Sequence, residues 1–139
     1  MKAAVWYGRK DVRVENIPEP LAPGPGEVKI KVHKTGICGS DLHEYDAGPI
    51  FIPTTAPHPL TGRKAPLTLG HEFCGEIVEV GKDVKKYKVG DIVAPDAAQH
   101  CGECYMCKVD RYSLCEKLAF TGLMADGAFA EYVNVPAYT

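Results

Sequence analysis

A mostly β domain is what this 139-residue sequence predicts, on three observations. Apolar and polar residues alternate with a period of two in its best-patterned stretches, 14 glycines and 11 prolines punctuate the rest, and only one stretch carries a helix start. Val12 and Val14 alternate with charged neighbours, the pattern of a half-buried strand. Ile17 to Gly26 follows with four prolines and two glycines, which forbid helix and regular pairing and make it a surface connector. The clearest alternation comes next, in Glu27 to Lys34 (EVKIKVHK): Val28, Ile30 and Val32 take one face, Lys29, Lys31 and His33 the other. Ser40 then offers a hydroxyl that can cap a first helical turn of Asp41, Leu42, His43 and Glu44. Asp46 to Pro66 holds five prolines and no sustained period, so a long functional loop is expected, its Ile50, Phe51 and Ile52 covering a substrate cleft. Further strands are expected over Phe73 to Val80, Asp91 to Ala94 and Phe129 to Val135.

Composition narrows the function classes. Sixteen Lys and Arg against 18 Asp and Glu leave a formal charge of −2, which argues against a polyanion-binding surface, and no basic stripe accompanies the aromatic residues. With 45% hydrophobic residues, and about two thirds of the extended-chain surface buried at this size, one well-formed core is expected. No apolar run approaches the roughly 18 residues needed to cross a bilayer, and Met1 to Tyr7 is too short for a signal-peptide core. A cytoplasmic protein without nucleic-acid or membrane partners is the expectation.

Six cysteines in a reducing compartment point to metal ligation before disulfides. Cys101, Cys104, Cys107 and Cys115 are separated by two, two and seven residues, and four thiolates from one such loop can close a tetrahedron around zinc at ~2.3 Å. This predicts a structural zinc lobe at about residues 99 to 117; iron–sulfur runs share the two-residue spacers but differ after the third cysteine. A second, dispersed set is Cys38 in GICGSDLHEY and His71 with Glu72 in LTLGHEFCGEIVEVG. Thiolate and imidazole suit zinc, and a catalytic site needs three protein ligands because its fourth position takes water or substrate. Cys74 stands outside both sets, three residues beyond His71 on a period-two strand, and is expected to be a buried, inert thiol on the opposite side.

Gly70, His71, Glu72, Gly75, Gly81 and Val84 match in full the GHExxG, five residues, Gly, two residues, Val signature, so the chain resembles the zinc-dependent medium-chain alcohol dehydrogenase family. Cys38, Gly39, Ser40 and Asp41 resemble its Cys-x-Ser/Thr-Asp stretch, and the quartet its structural-zinc lobe. The loop GPIFIPTTAPHPLTGRKAPLTLGHE and the end GAFAEYVNVPAYT look most like the family's 2,3-butanediol dehydrogenases. The resemblance implies a partly open β-barrel like that of the co-chaperonin GroES, occupying residues 1 to 139. It implies that Cys38 and His71 ligate a catalytic zinc, that Asp41 stands behind His71 and orients its ring, and that Glu72 sits close to the metal. It further implies that Ser40 accepts the alcohol proton and His43 passes it toward solvent.

Such chemistry requires NAD or NADP, yet no GxGxxG occurs between Met1 and Thr139. The resemblance therefore implies an N-terminal catalytic domain, with the cofactor domain and a third catalytic-zinc ligand lying further along a longer, homo-oligomeric parent. The substrate it implies is a small alcohol or diol. Sorbitol and threonine dehydrogenases are the alternatives within the family. A non-catalytic, zinc-lobed GroES-like binding module and a zinc-free quinone reductase relative are the rivals outside it, and neither needs Cys38, Ser40, Asp41, His71 and the cysteine quartet together.

Overall fold

The computed structural model describes Met1–Thr139. In chain order its elements are β1 (Lys2–Gly8), β2 (Asp11–Asn16), β3 (Glu27–Gly36), α1 (Gly39–Ala47), β4 (Leu67–Thr68), β5 (Glu72–Val80), β6 (Ile92–Val93), β7 (Ala98–Gln99), α2 (Tyr105–Lys108), a 3-10 turn over Tyr112–Leu114, β8 (Ala119–Phe120) and β9 (Tyr132–Pro136). They form two antiparallel sheets, β2-β1-β4 and β6-β5-β3-β9, and a two-stranded ribbon, β7-β8, at the base of the cysteine lobe. The mostly β expectation holds.

The alternation in β3 does what its period requires. Val28 and Ile30 enter one apolar cluster with Phe73, Ile77, Ala128, Val133 and Val135, and Val32 packs against it. Pairing with β5 runs from Val28 opposite Val80 to Gly36 opposite Glu72, with irregularities between Lys29 and Ile30 and between Val32 and Lys34. Bulges of this kind bend and twist a strand, as sheet closure demands. A second cluster gathers Trp6, Ile52, Leu67, Leu69 and Leu123 under the other sheet.

The segment from Gly127 to Ala130 ties the two sheets together. Gly127 and Ala128 donate to Thr68 and Gly70, both at 2.8 Å; Phe129 donates to Leu69 at 2.8 Å, and its carbonyl accepts from Ala4 at 2.7 Å. An isolated bridge pairs Ala3 with Ala130. This lacing leaves the barrel partly open and fixes the residues immediately before His71.

Several expectations need correction. β1 is absent from the sequence reading, because Ala3 to Trp6 is an apolar run without alternation, of which Ala3, Val5 and Trp6 are buried. Val14 is 78% exposed, since β2 is an edge strand and only Val12 packs against the core. Asp91 to Ala94 shrinks to the two residues of β6. The last strand begins at Tyr132 instead of Phe129, because Gly127 to Ala130 spends its hydrogen bonds on crossing between sheets. Ser40 does not cap α1: Cys38 is the N-cap, and Ser40 lies inside the first turn. The loop expected over Asp46 to Pro66 contains no strand or helix once α1 ends at Ala47. Of its apolar trio only Ile52 is buried.

Candidate functional site

In the cysteine lobe, the turn after β7 brings Cys101 and Cys104 beside Cys107 of α2 and Cys115 beyond the 3-10 turn. Sulfur separations are 3.5 Å for Cys104 to Cys107, 3.5 Å for Cys115 to Cys101 and 3.9 Å for Cys101 to Cys107. Four sulfurs at ~2.3 Å from a tetrahedral zinc stand about 3.8 Å apart, so the cluster already has the dimensions the ion needs. Backbone amides point inward at the sulfurs: Cys101 Sγ accepts from Glu103 and Cys104, and Cys115 Sγ from Cys101 and Lys117. Amides of Glu116 and Cys107 hold the Cys104 thiol down at about 6, whereas burial pushes Cys107 up to about 12. The quartet fits zinc as the sequence predicts.

The second cluster comes from three elements. Cys38 lies at the N-terminus of α1, His71 in the turn between β4 and β5, and Glu72 at the start of β5. Their ligand atoms all lie within 4.8 Å of one another, a set able to hold a metal ion. Cys38 and His71 are half-buried and Glu72 is exposed, so the cluster opens to solvent on the carboxylate side.

Backbone geometry sets the His71 ring. Gly70 has φ +95°, and a side chain there would collide with Phe129 at 2.5 Å, so only glycine lets the chain turn into β5. Asp41 then links both ligands: Oδ2 accepts the Cys38 backbone N–H at 2.9 Å, and Oδ1 stands 3.6 Å from His71 Nδ1. Asp41 Oδ1 and His71 Nδ1 are both buried with no other partner, so each is the other's natural counterpart. Burial pushes the Asp41 carboxyl up, against the opposing pull of the Cys38 amide and the His71 charge. On the other side of the ring, Ser40 Oγ lies 3.1 Å from His71 Nε2.

The structure thus brings Cys38, Ser40, Asp41, His71 and Glu72 together. His43 is exposed on α1. Cys74 is half-buried instead of buried, on the opposite face of β5 from Phe73, Gly75 and Ile77, where it stands opposite Lys34 of β3. Sequence reasoning missed Glu44. It reads as one more polar residue of a surface helix, yet it is 0% exposed and holds the loop that follows α1. Only the apolar Ile50 to Ile52 run, too costly to leave wholly in water, hinted that something orders this loop.

Residues 24–139 match the family model of the alcohol dehydrogenase GroES-like domain. The chain belongs to that family. Among relatives of this alcohol dehydrogenase GroES-like domain, the (R,R)-butanediol dehydrogenase of Bacillus subtilis (strain 168) is 54% identical over 138 residues, covering 97% of this chain and 38% of its own length. The L-threonine 3-dehydrogenase of Thermococcus kodakarensis (strain ATCC BAA-918 / JCM 12380 / KOD1) is 42% identical over 137 residues, 99% of this chain and 36% of its own. The crystal structure of 2R,3R-butanediol dehydrogenase from Bacillus subtilis has a TM-score of 0.87 at 52% identity, covering 97% of this chain and 38% of that one. The chain therefore spans well under half the length of the relatives it matches. No helix of the GroES-like domain is long and apolar enough to cross a membrane.

Proposed function

We propose that this chain supplies the alcohol-binding and metal-binding half of a cytoplasmic, homo-oligomeric, zinc-dependent dehydrogenase that oxidises a small vicinal diol, 2,3-butanediol or a close analogue, to the hydroxyketone. The observation that carries this reading is the convergence of Cys38, His71 and Glu72 within 4.8 Å, with Ser40 on the same imidazole. The 54% identity to a butanediol dehydrogenase supports the substrate class. A bound zinc would supply Lewis acidity toward the alcohol oxygen, and a nicotinamide, NAD or NADP, would accept the hydride from carbon.

In this reading Cys38 and His71 ligate the catalytic ion, Glu72 stands at its solvent side, and the quartet holds a structural ion. Asp41 Oδ1 faces His71 Nδ1 and would orient the ring so that Nε2 could hold the ion. That nitrogen has one lone pair, so if it held an ion the Ser40 hydroxyl would be free of the ring and able to accept the substrate proton. His43, three residues further round α1 and open to water, receives that proton and passes it to solvent. The nicotinamide belongs to a dinucleotide-binding unit outside Met1 to Thr139, since no glycine fingerprint occurs within them. The 42% identity to a threonine dehydrogenase favours a second reading, with an amino alcohol as substrate.

The test is turnover of the enzyme containing this chain with 2,3-butanediol and with L-threonine. Ser40→Ala is expected to lower diol turnover about 10²- to 10⁴-fold at unchanged zinc content. Preference for threonine would select the second reading, and loss of zinc in step with rate would make Ser40 structural.

A further inference from the structure

α1 carries half of the metal cluster, yet it buries no apolar side chain. Its buried residues are Asp41 and Glu44, while Leu42 and Tyr45 are 54% and 40% exposed. A helix in a globular domain is ordinarily set in place by a buried apolar face. Polar contacts at the two ends of α1 do this instead. At the N-terminal end Asp41 accepts the Cys38 amide at 2.9 Å and faces His71, and Ser40 lies on the same ring.

At the C-terminal end the donors come from the hairpin of β1 and β2. Carbonyls in the last turn of a helix lack partners within it. Those of Glu44, Tyr45 and Asp46, three in succession, accept the Trp6 indole N–H at 3.1 Å, the Lys10 amide at 2.7 Å and Arg9 Nε at 2.6 Å. Arg9 and Lys10 form the turn between Gly8 and Asp11, with Lys10 left-handed at φ +59°. The Arg9 guanidinium also brings a cation to the negative end of the helix dipole. Trp6 is fully buried, whereas Arg9 and Lys10 are exposed.

β1 holds the other half of the cluster as well. Val5 and Trp6 pair with Thr68 and Leu67 of β4, and the Ala4 carbonyl accepts the Leu69 amide at 3.2 Å, two residues before His71. One strand therefore fixes the run into His71 through its backbone and the tail of α1 through the Trp6 indole. With nine residues α1 is a rod of about two and a half turns and about 13 Å, so a displacement of its tail is carried to Ser40 and Cys38.

We propose that Trp6 and Arg9 are positioning residues: the β1–β2 hairpin clamps the tail of α1 and thereby holds Cys38 and Ser40 in register with His71. This rests on the dehydrogenase reading for the use of the site and adds to it what aligns the two halves.

The test that needs no metal is alkylation by iodoacetamide in the chain itself, followed at Cys38 and Cys74 by peptide mass spectrometry. Cys74, on β5, is the control, because a general loosening of the fold exposes both thiols whereas loss of the clamp frees the helix alone. Arg9→Ala is expected to speed Cys38 about threefold and Trp6→Phe, which keeps a ring without the donor, about tenfold, each with Cys74 within about twofold. Arg9→Lys, which keeps a donor and the charge, should return the rate toward that of the parent. Trp6 is the chain's one tryptophan, so biosynthetic replacement by benzothienylalanine, which exchanges the N–H for sulfur in nearly the same shape, removes this bond alone and serves if Trp6→Phe does not fold. An unchanged Cys38, or Cys38 and Cys74 accelerated together, overturns the proposal. In the enzyme containing the chain, Arg9→Ala should lower kcat for 2,3-butanediol about threefold with KM within about twofold, since it disturbs alignment and no substrate contact. A raised KM at unchanged kcat overturns it. If the native chain holds no metal at Cys38 and His71, the functional reading fails, while Cys38 against Cys74 still decides whether the hairpin positions α1.

Discussion

His71 is held on both sides by oxygen and from behind by backbone, and each contact has a separate consequence. Asp41→Asn leaves the shape intact but weakens the acceptor facing Nδ1. Affinity for the labile metal is expected to fall about 10- to 100-fold, measured by chelator competition, with the quartet unaffected. Unchanged affinity would mean that the 3.6 Å approach orients nothing. Gly127→Ala acts from the rear: a methyl there would stand 2.3 Å from Gly70 O and 2.5 Å from Leu69 O, all backbone that cannot move alone. A loss of about 1 to 3 kcal/mol in urea unfolding is expected, together with a weaker metal site, since Gly70 leads directly into His71. Cys38, His71 and Asp41 were legible because ligand chemistry and a spaced motif mark them. Glu44 was not, because nothing in DLHEY distinguishes a buried carboxylate from a solvated one until the returning loop supplies its donors.

The cysteine lobe shows what one element can do on its own. It rests on the β7-β8 ribbon, and its tyrosines and leucine, Tyr105, Tyr112 and Leu114, are exposed, so little apolar burial holds it without an ion. Cys104→Ser is therefore expected to abolish retention of the structural zinc and amide protection from residue 100 to 117 while β1, β3 and β5 stay protected. Global unfolding would contradict this. The pH dependence has a definite sign. Cys104 sits at about 6, below the ordinary thiol, so its contribution to the metal-free lobe is complete above the unfolded value of 9.0 and is lost as pH falls through about 6. Cys107, raised to about 12, behaves oppositely, contributing fully below 9.0 and losing that contribution as pH rises toward 12. Near neutrality zinc must displace the Cys107 proton, so affinity should rise at least about tenfold per pH unit between 6 and 8, as read by competition with a chelator. A flat profile would show that the thiol is already ionised. Among the strands, β3 and β5 were readable because one of their faces is wet. β1 was not, because Ala3 to Trp6 is apolar throughout and shows no period of two.

At the scale of the molecule, Gly127 to Ala130 crosses between the two sheets, and this crossing, invisible to periodicity, also sets the approach to His71. The fold class and both metal clusters were legible from spacing and resemblance. The closure of the barrel was not, since it depends on backbone bonds between residues more than fifty positions apart, such as Phe129 to Leu69. With no glycine fingerprint in Met1 to Thr139, calorimetry of the chain with NAD is expected to show no micromolar binding. Such binding would place the cofactor site inside the GroES-like domain.

The proposed function requires two metal sites of different character in one chain, a closed thiolate site and an open one on Cys38 and His71. Its most direct measurement is the release of zinc from the chain under increasing chelator, compared with Cys38→Ser. One zinc should survive dialysis and resist the chelator in both proteins, and a second, added back, should bind weakly to the parent chain and not to Cys38→Ser. No zinc retained after dialysis, or a weak site indifferent to Cys38, would contradict the account.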